Sequence, residues 1–331
     1  MLMREPSEVD PHYFGGRRVL VTGGTGFLGS QVSRSLRHNG ADVVAIGSRD
    51  FDLTVQSHVR KLFDDVKPEL VIHAAGAVGG IGANVANPGR FLYANALMGL
   101  LVLEEARRTG IDKVVMVSTT CAYPENASVP LKEESLWDGR PAGATGPYGV
   151  AKRMLHEAVD AYHRQYGTKA AVLMLSNLYG PGDHFEDSTS HVLAALIHRI
   201  VTAKRDHVAE ITNWGTGEPT REFLHVADAA RAILLAAARW DDPSPINVGT
   251  GIETSVRELS DMIAAAVAFG GTIHWDPTKP DGQPRRYLDV AKARQFGFEA
   301  EIDLHDGIAE TVEWYEREMH PDRAGSPNLV R

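Results

Sequence analysis

Short apolar runs alternate with longer amphipathic stretches over the first half of the chain, and this rhythm predicts strands and helices in turn. Residues 17–22, 42–46, 69–74, 112–118 and 170–177 each read as a buried strand. Near-continuous apolar runs of this length suit a parallel sheet covered on both faces. Helical patterns lie between them, one ending near His38, others over residues 90–107 and 148–166. The repeat predicts an α/β fold with a Rossmann-type doubly wound parallel sheet. The 90–107 segment is apolar on more than one side, through Phe91, Leu92, Leu97, Met98, Leu101 and Leu103, so it buries two faces. One face suits the sheet. The other suits a partner subunit, in a homodimer with a four-helix contact shared with the 148–166 helix, or the protein's own loops.

Past Gly180 the rhythm changes to loops, a helix opened by His191 and running through Arg199, and isolated strands. That change predicts a smaller substrate-binding lobe. A helix over 225–240 and a strand over 246–248 are expected to return to the main sheet, which interleaves the two lobes. The expected organisation is a polar N-terminal extension (1–15), a Rossmann domain (16–180, with 225–250 returning to it), a substrate-binding lobe (181–224 and 251–319) and a frayed tail (320–331).

The 331 residues are 43% hydrophobic and 23% charged, enough for a large core. Lys and Arg total 34 against 43 Asp and Glu, a formal charge of -9 without a long basic run, which argues against a nucleic-acid partner. Cys121 is the single cysteine, so no intrachain disulfide or cysteine-rich zinc site can form, and no metal site is expected. No apolar run approaches membrane-spanning length, and the first fourteen residues lack the apolar core of a signal peptide. A cytoplasmic protein without a membrane partner is the expectation.

The first strand runs straight into Gly23-Gly24-Thr25-Gly26-Phe27-Leu28-Gly29 and then a helix. Strand, glycine turn and helix make a dinucleotide-binding unit, in which backbone N–H groups and the helix N-terminus receive a pyrophosphate. The second strand ends at Gly47-Ser48-Arg49, where an acidic residue would hold the ribose of NAD. Gly47 stands in that place and Arg49 suits a 2'-phosphate, which favours NADP over NAD; the other reading makes Asp50 the ribose acid. Asp52-Leu53 are candidate adenine contacts, and Ala75, among small residues after the third strand, lets a cofactor lie close to the backbone. His73 reads as a packed strand-end residue.

Tyr148 and Lys152 lie four apart, one turn along a single helix face. A phenol ordinarily ionises at about 10, and a neighbouring ammonium is expected to bring it down. Thr119 arrives at the carboxyl edge of the sheet with the fourth strand. The three make a hydride-transfer set: Thr119 holds the substrate oxygen, Tyr148 donates its proton, and Lys152 binds the nicotinamide ribose. Trp214 and Arg221 suit a nucleobase and a diphosphate, and the Lys279 to Arg286 turn is basic.

Together these residues resemble the extended short-chain dehydrogenase/reductases over residues 17–319. The likeness rests on Ala77-Val78-Gly79-Gly80-Ile81, Thr119-Thr120-Cys121-Ala122-Tyr123-Pro124, Asn177-Leu178-Tyr179-Gly180-Pro181, Ser190-His191-Val192, Trp214-Gly215-Thr216-Gly217, Arg221-Glu222-Phe223-Leu224-His225-Val226 and Lys279-Pro280-Asp281-Gly282. It is nearest to members that epimerise and then reduce GDP-linked 4-keto sugars with NADPH. The resemblance implies Cys121 and His191 as the acid–base pair of epimerisation. It also implies Asn177, Leu178 and His191 beside the cofactor, and Asn177, Arg199, Trp214, Arg221 and Asp281 around a GDP-sugar. Thr25 occupies a position where the family often has arginine, leaving Arg49 more of the NADP selectivity. Thr120-Cys121 replaces the Asp-Glu pair of the dehydratase branch. A non-catalytic NADP-binding protein on the same fold is the alternative of another class.

Overall fold

The chain crosses repeatedly between one sheet and the helices that cover it. The computed structural model describes residues 4–141, 143–185, 190–279 and 281–319; the expected tail (320–331) and Pro280 lie outside the described residues. In chain order the elements are α1 (Pro11–Phe14), β1 (Arg18–Thr22), α2 (Phe27–His38), β2 (Asp42–Ile46), α3 (Gln56–Val66), β3 (Leu70–His73), α4 (Ile81–Ala86), α5 (Pro88–Thr109) and β4 (Lys113–Thr119). There follow α6 (Gly146–Tyr166), β5 (Ala170–Leu175), β6 (Asn177–Tyr179), α7 (Val192–Arg205), β7 (Glu210–Trp214), β8 (Thr220–Arg221), β9 (Phe223–His225) and α8 (Val226–Arg239). The last are β10 (Pro245–Val248), β11 (Thr254–Ser255), α9 (Val256–Val267), β12 (Thr272–Asp276) and α10 (Leu304–Met319).

Six strands form a parallel sheet in the order β10-β5-β4-β3-β1-β2. Because side chains alternate across a strand, each one feeds two cores. Val19 and Val21 of β1, with Ile72, Val115 and Leu173, pack toward α2 and α8. Leu20, Val71, Val114, Met116 and Val172 pack the other way, with Val59, Leu62, Val102 and Val159 from α3, α5 and α6. The expected α/β doubly wound sheet is therefore present, as is an extra C-terminal lobe built on α7, α9 and α10 with their own apolar core. Two small sheets belong to that part of the chain, β12 beside β7 and β11 beside β8.

One expectation needs correction. Residues 170–177 are not one strand. The main-sheet strand ends at Leu175, Ser176 donates its N–H to the Val248 carbonyl, and Asn177 begins β6, which pairs with β9 instead. That break swings Asn177 out over the carboxyl edge. Within the N-terminal segment, Asp10 caps α1, Asn39 Oδ1 accepts the Val9 N–H at 2.8 Å, and Phe14 is 0% exposed, which anchors it to the main core.

The anchoring makes a direct test. Phe14→Ala is expected to cost about 3–5 kcal/mol of unfolding free energy, and the exposed Glu8→Ala under about 0.5 kcal/mol, both read from urea melts. Equal losses would show that the extension adds nothing to the core.

Candidate active site

The β1–α2 turn is shaped by close backbone approach. Gly23 has φ +69°, and a Cβ there would lie 2.8 Å from Ala75 Cα; a Cβ on Gly29 would lie 2.0 Å from the Gly23 carbonyl oxygen. Gly26 caps α2 without any side-chain hydrogen bond, so the first amides of the helix, at Phe27 and Leu28, receive no side-chain cap. An uncapped helix start lined by glycine fits an anionic diphosphate. At the end of β2, a Cβ on Gly47 would sit 2.3 Å from Thr25 Oγ1, so a side chain there would require Thr25 to turn aside. The Asp50 carboxylate turns back to accept the Gly47 N–H at 2.8 Å, while Arg49 is exposed. Asp52 is engaged by the Thr54 N–H and hydroxyl, which hold its pKa low. Leu53 is buried in the core, so only its backbone is left to face a ligand.

The sheet's carboxyl edge then delivers the acid–base groups. A 3₁₀ turn, Thr120–Ala122, follows β4, and Thr119 Oγ1 accepts the Cys121 N–H at 3.2 Å. The first turn of α6 presses on this turn: a Cβ on Gly149 would lie 2.1 Å from the Cys121 carbonyl oxygen. That contact brings Tyr148 into hydrogen bonding with the Thr119 side chain, beside the half-buried Cys121.

Lys152, one turn further, is 3% exposed and donates to the Val117 carbonyl at 2.9 Å. Burial lowers its pKa to about 8. Its Nζ lies 6.0 Å from the centre of the Tyr148 ring. The expectation that Lys152 lowers the phenol is corrected here. Burial raises the Tyr148 pKa, the Cys121 charge raises it further, and only the hydrogen bond with Thr119 opposes them. Two buried histidines flank Lys152. His73 Nδ1 is 2.8 Å from Thr22 Oγ1 and His156 Nε2 is 2.7 Å from Ser118 Oγ. Burial, helped by the Lys152 charge, lowers both to about 3, so they are neutral at pH 7.

Around this centre, Asn177 donates Nδ2 to the Glu222 carbonyl at 2.9 Å, and Leu178 packs against the main core. His191 caps α7 by its backbone. Its ring is accessible, yet protein on several sides desolvates it enough to lower its pKa. Arg199 donates to Asn213 at 2.8 Å, and Trp214 stands 72% exposed at the end of β7. The Asp281 carboxylate is taken up in holding Thr216, through its N–H at 2.9 Å and its hydroxyl at 2.7 Å. Arg221 donates to the carbonyls of Thr220 and Gln283.

The sequence alone shows Arg286 only as part of a basic turn. In the fold it donates to the Thr120 carbonyl, next to Cys121, while its Nε is buried without a hydrogen-bond partner. Burial lowers the pKa of both Arg221 and Arg286, and the Arg286 charge lowers Arg221 further. Two desolvated guanidiniums, neither paired with a carboxylate among the described residues, are suited to an anion with several oxygens.

A doubly wound sheet with a glycine-lined crevice at the edge of β1 and a Tyr–Lys pair across it defines a dinucleotide-binding protein of Rossmann type. Residues 19–249 match the NAD dependent epimerase/dehydratase family, and the chain belongs to it. It is 38% identical over 302 residues to the probable GDP-L-fucose synthase 1 of Oryza sativa subsp. japonica, covering 91% of this chain and 92% of that one. A GDP-6-OMe-4-keto-L-xylo-heptose reductase from C. jejuni is similar in structure, with a TM-score of 0.86 and 29% identity, covering 91% of this chain and 98% of that one. A GDP-L-fucose synthetase from Naegleria fowleri bound to NADP aligns with a TM-score of 0.85 and 27% identity, over 96% and 98% of the two chains. Among the described residues no helix is long and apolar enough to cross a membrane.

The buried ammonium gives a signed expectation. The Lys152 pKa falls from an ordinary 10.5 to about 8 on folding. Between those values the unfolded chain binds more protons, so stability rises with pH there, and the full penalty applies below pH 8. Lys152→Met is therefore expected to stabilise the ligand-free protein at pH 7 by about 1–3 kcal/mol, with the gain shrinking above pH 10. Urea melts at the two pH values measure it; a destabilised variant at pH 7 would contradict it.

Proposed function

We propose that the protein is an NADPH-dependent 3,5-epimerase and 4-reductase that converts GDP-4-keto-6-deoxy-D-mannose to GDP-L-fucose. The observation that carries this reading is the contact between α6 and the Thr120–Ala122 turn, which gathers a phenol, a hydroxyl and a thiol beside a buried ammonium. The likeness to the GDP-L-fucose synthases supports the choice of sugar.

The C4 ketone of such a sugar acidifies the hydrogens on C3 and C5. Cys121 and His191 act there as base and acid, one removing a proton and the other returning one to the opposite face. Thr119 and Tyr148 then hold the C4 oxygen, and Tyr148 gives it a proton. A phenol kept protonated by burial is in the form that donates. Bound NADPH supplies the hydride. Lys152 holds the nicotinamide ribose and keeps its charge close to the phenol as it ionises. The amides of Gly26, Phe27, Leu28 and Gly29 take the pyrophosphate, Thr25, Ala75 and Leu178 line the path of the cofactor, and Asp52 and Leu53 lie at its adenine end. Arg49 takes the 2'-phosphate. With Asp50 bonded to Gly47, the arginine is the better-placed selector of NADP over NAD. Arg221 and Arg286 hold the diphosphate, Arg199 and Trp214 the nucleoside end, and Asp281 fixes the turn beneath it. Exposed Leu92, Tyr93, Val150 and Met154 on α5 and α6 suit a homodimer with a four-helix contact.

A second reading keeps the site and changes the ring to another GDP-4-keto sugar, such as a heptose, as the structural likeness to the heptose reductase favours. Incubation with GDP-4-keto-6-deoxy-D-mannose, NADPH or NADH, in D₂O, separates the readings. The expected outcome is loss of NADPH absorbance with deuterium at C3 and C5 of a GDP-L-fucose product, and slower turnover with NADH. Turnover confined to a keto-heptose would establish the second reading. Cofactor binding with no turnover on any keto-sugar nucleotide would leave a non-catalytic NADP-binding protein.

A further inference from the structure

Glu222 lies between Arg221 and β9 and is 1% exposed. Its two carboxylate oxygens reach two different segments. Oε1 accepts the Gly251 N–H at 2.7 Å, and Oε2 accepts the Leu288 N–H at 2.8 Å. Thr250 adds hydrogen bonds from its backbone and its side chain. The fit admits no side chain opposite, since a Cβ on Gly249 would lie 1.9 Å from Oε1. The Glu222 carbonyl also receives Asn177 Nδ2.

One buried acid thereby ties the turn after β10 and the strap at 281–289 to the floor of the cleft. The strap carries Asp281 and Arg286, and its Gln283 carbonyl receives Arg221 at 2.7 Å. Arg286 in turn bonds to the Thr120 carbonyl, next to Cys121. Loosening the Leu288 end of the strap therefore disturbs two guanidiniums of the cleft together.

We propose that Glu222 is a positioning residue whose ionised carboxylate latches the 281–289 strap over the cleft, so that nucleotide-sugar affinity drops when this carboxyl takes up a proton. The proposal rests on the nucleotide-sugar reading above. An ionised carboxylate only accepts, which matches N–H groups at both oxygens; a protonated one turns an O–H toward an N–H and loses a bond. Burial raises the Glu222 pKa to about 7 against the pull of its backbone donors, which places the change at neutral pH. The neighbouring charges are otherwise engaged. Arg221 faces the Thr220 and Gln283 carbonyls, Arg286 faces Thr120 and Gln283, and Glu253 pairs with Arg285 and the Thr220 hydroxyl.

The test is calorimetric titration of the full chain, saturated with NADP, by GDP-mannose, whose diphosphate stays fully ionised throughout the pH range used. Wild type is expected to bind roughly tenfold more weakly at about pH 6 than at about pH 8. Glu222→Gln is expected to bind at the weak level at both, with NADP affinity unchanged. Glu222→Asp, which keeps the charge, is expected to retain the step. A flat wild-type profile, or a Glu222→Gln profile that keeps the step, overturns the latch alone. No wild-type binding at either pH overturns the nucleotide-sugar reading and the latch with it. The wild-type profile stands whether or not a variant folds.

Discussion

The site depends on one close approach of backbone to backbone, the seating of Gly149 on the Cys121 carbonyl. A side chain of any size at 149 would push α6 off the turn that follows β4. With glycine there, the helix start drops low enough for Tyr148 to reach Thr119, and Lys152 is carried below the surface to Val117. The same logic recurs at the other wall of the crevice, where Gly29 lets α2 settle onto Gly23. Both are contacts that hydrophobic burial alone would not specify. Packing energy holds the sheet and helices together, and the glycines decide how near they come.

That arrangement costs stability. Among the described residues buried Lys152 has one side-chain hydrogen bond, to the Val117 carbonyl, and two neutral histidines lie close by, each with one ring nitrogen buried and unpartnered. Such groups are destabilising unless something meets them. A cofactor that takes the remaining donors of Lys152 would recover part of the cost on binding. The two guanidiniums of the cleft carry the same logic for the substrate, because an anion between Arg221 and Arg286 relieves their mutual repulsion.

Much of this was legible in the chain because the signals were local. The glycine turn follows its strand directly, and the 148–152 spacing fixes a helix face, so β1, α2 and α6 lie where the sequence places them. What escaped was set by distant contacts. Nothing in residues 170–177 marks the break at Ser176, beyond which Asn177 takes a new partner strand at Phe223, over forty positions away. Leu53 reads as a cofactor contact from its position after β2, and the core that takes its side chain beneath α3 leaves its backbone for that role. The phenol was expected to be lowered by its lysine on spacing alone, whereas its burial decides the direction. Arg286 could be found in sequence only as one of two adjacent arginines; which of them enters the cleft follows from Leu288 being tied to Glu222.

In the proposed reaction one cleft divides the labour, with Thr119 and Tyr148 serving reduction and Cys121 and His191 serving epimerisation. The most direct test is Tyr148→Phe with GDP-4-keto-6-deoxy-D-mannose and NADPH in D₂O, followed by NMR of the sugar and absorbance of the cofactor. Deuterium should still enter C3 and C5 while NADPH oxidation is lost. Loss of both exchange and oxidation in a folded variant that still binds NADPH, or retention of both, would contradict the claim.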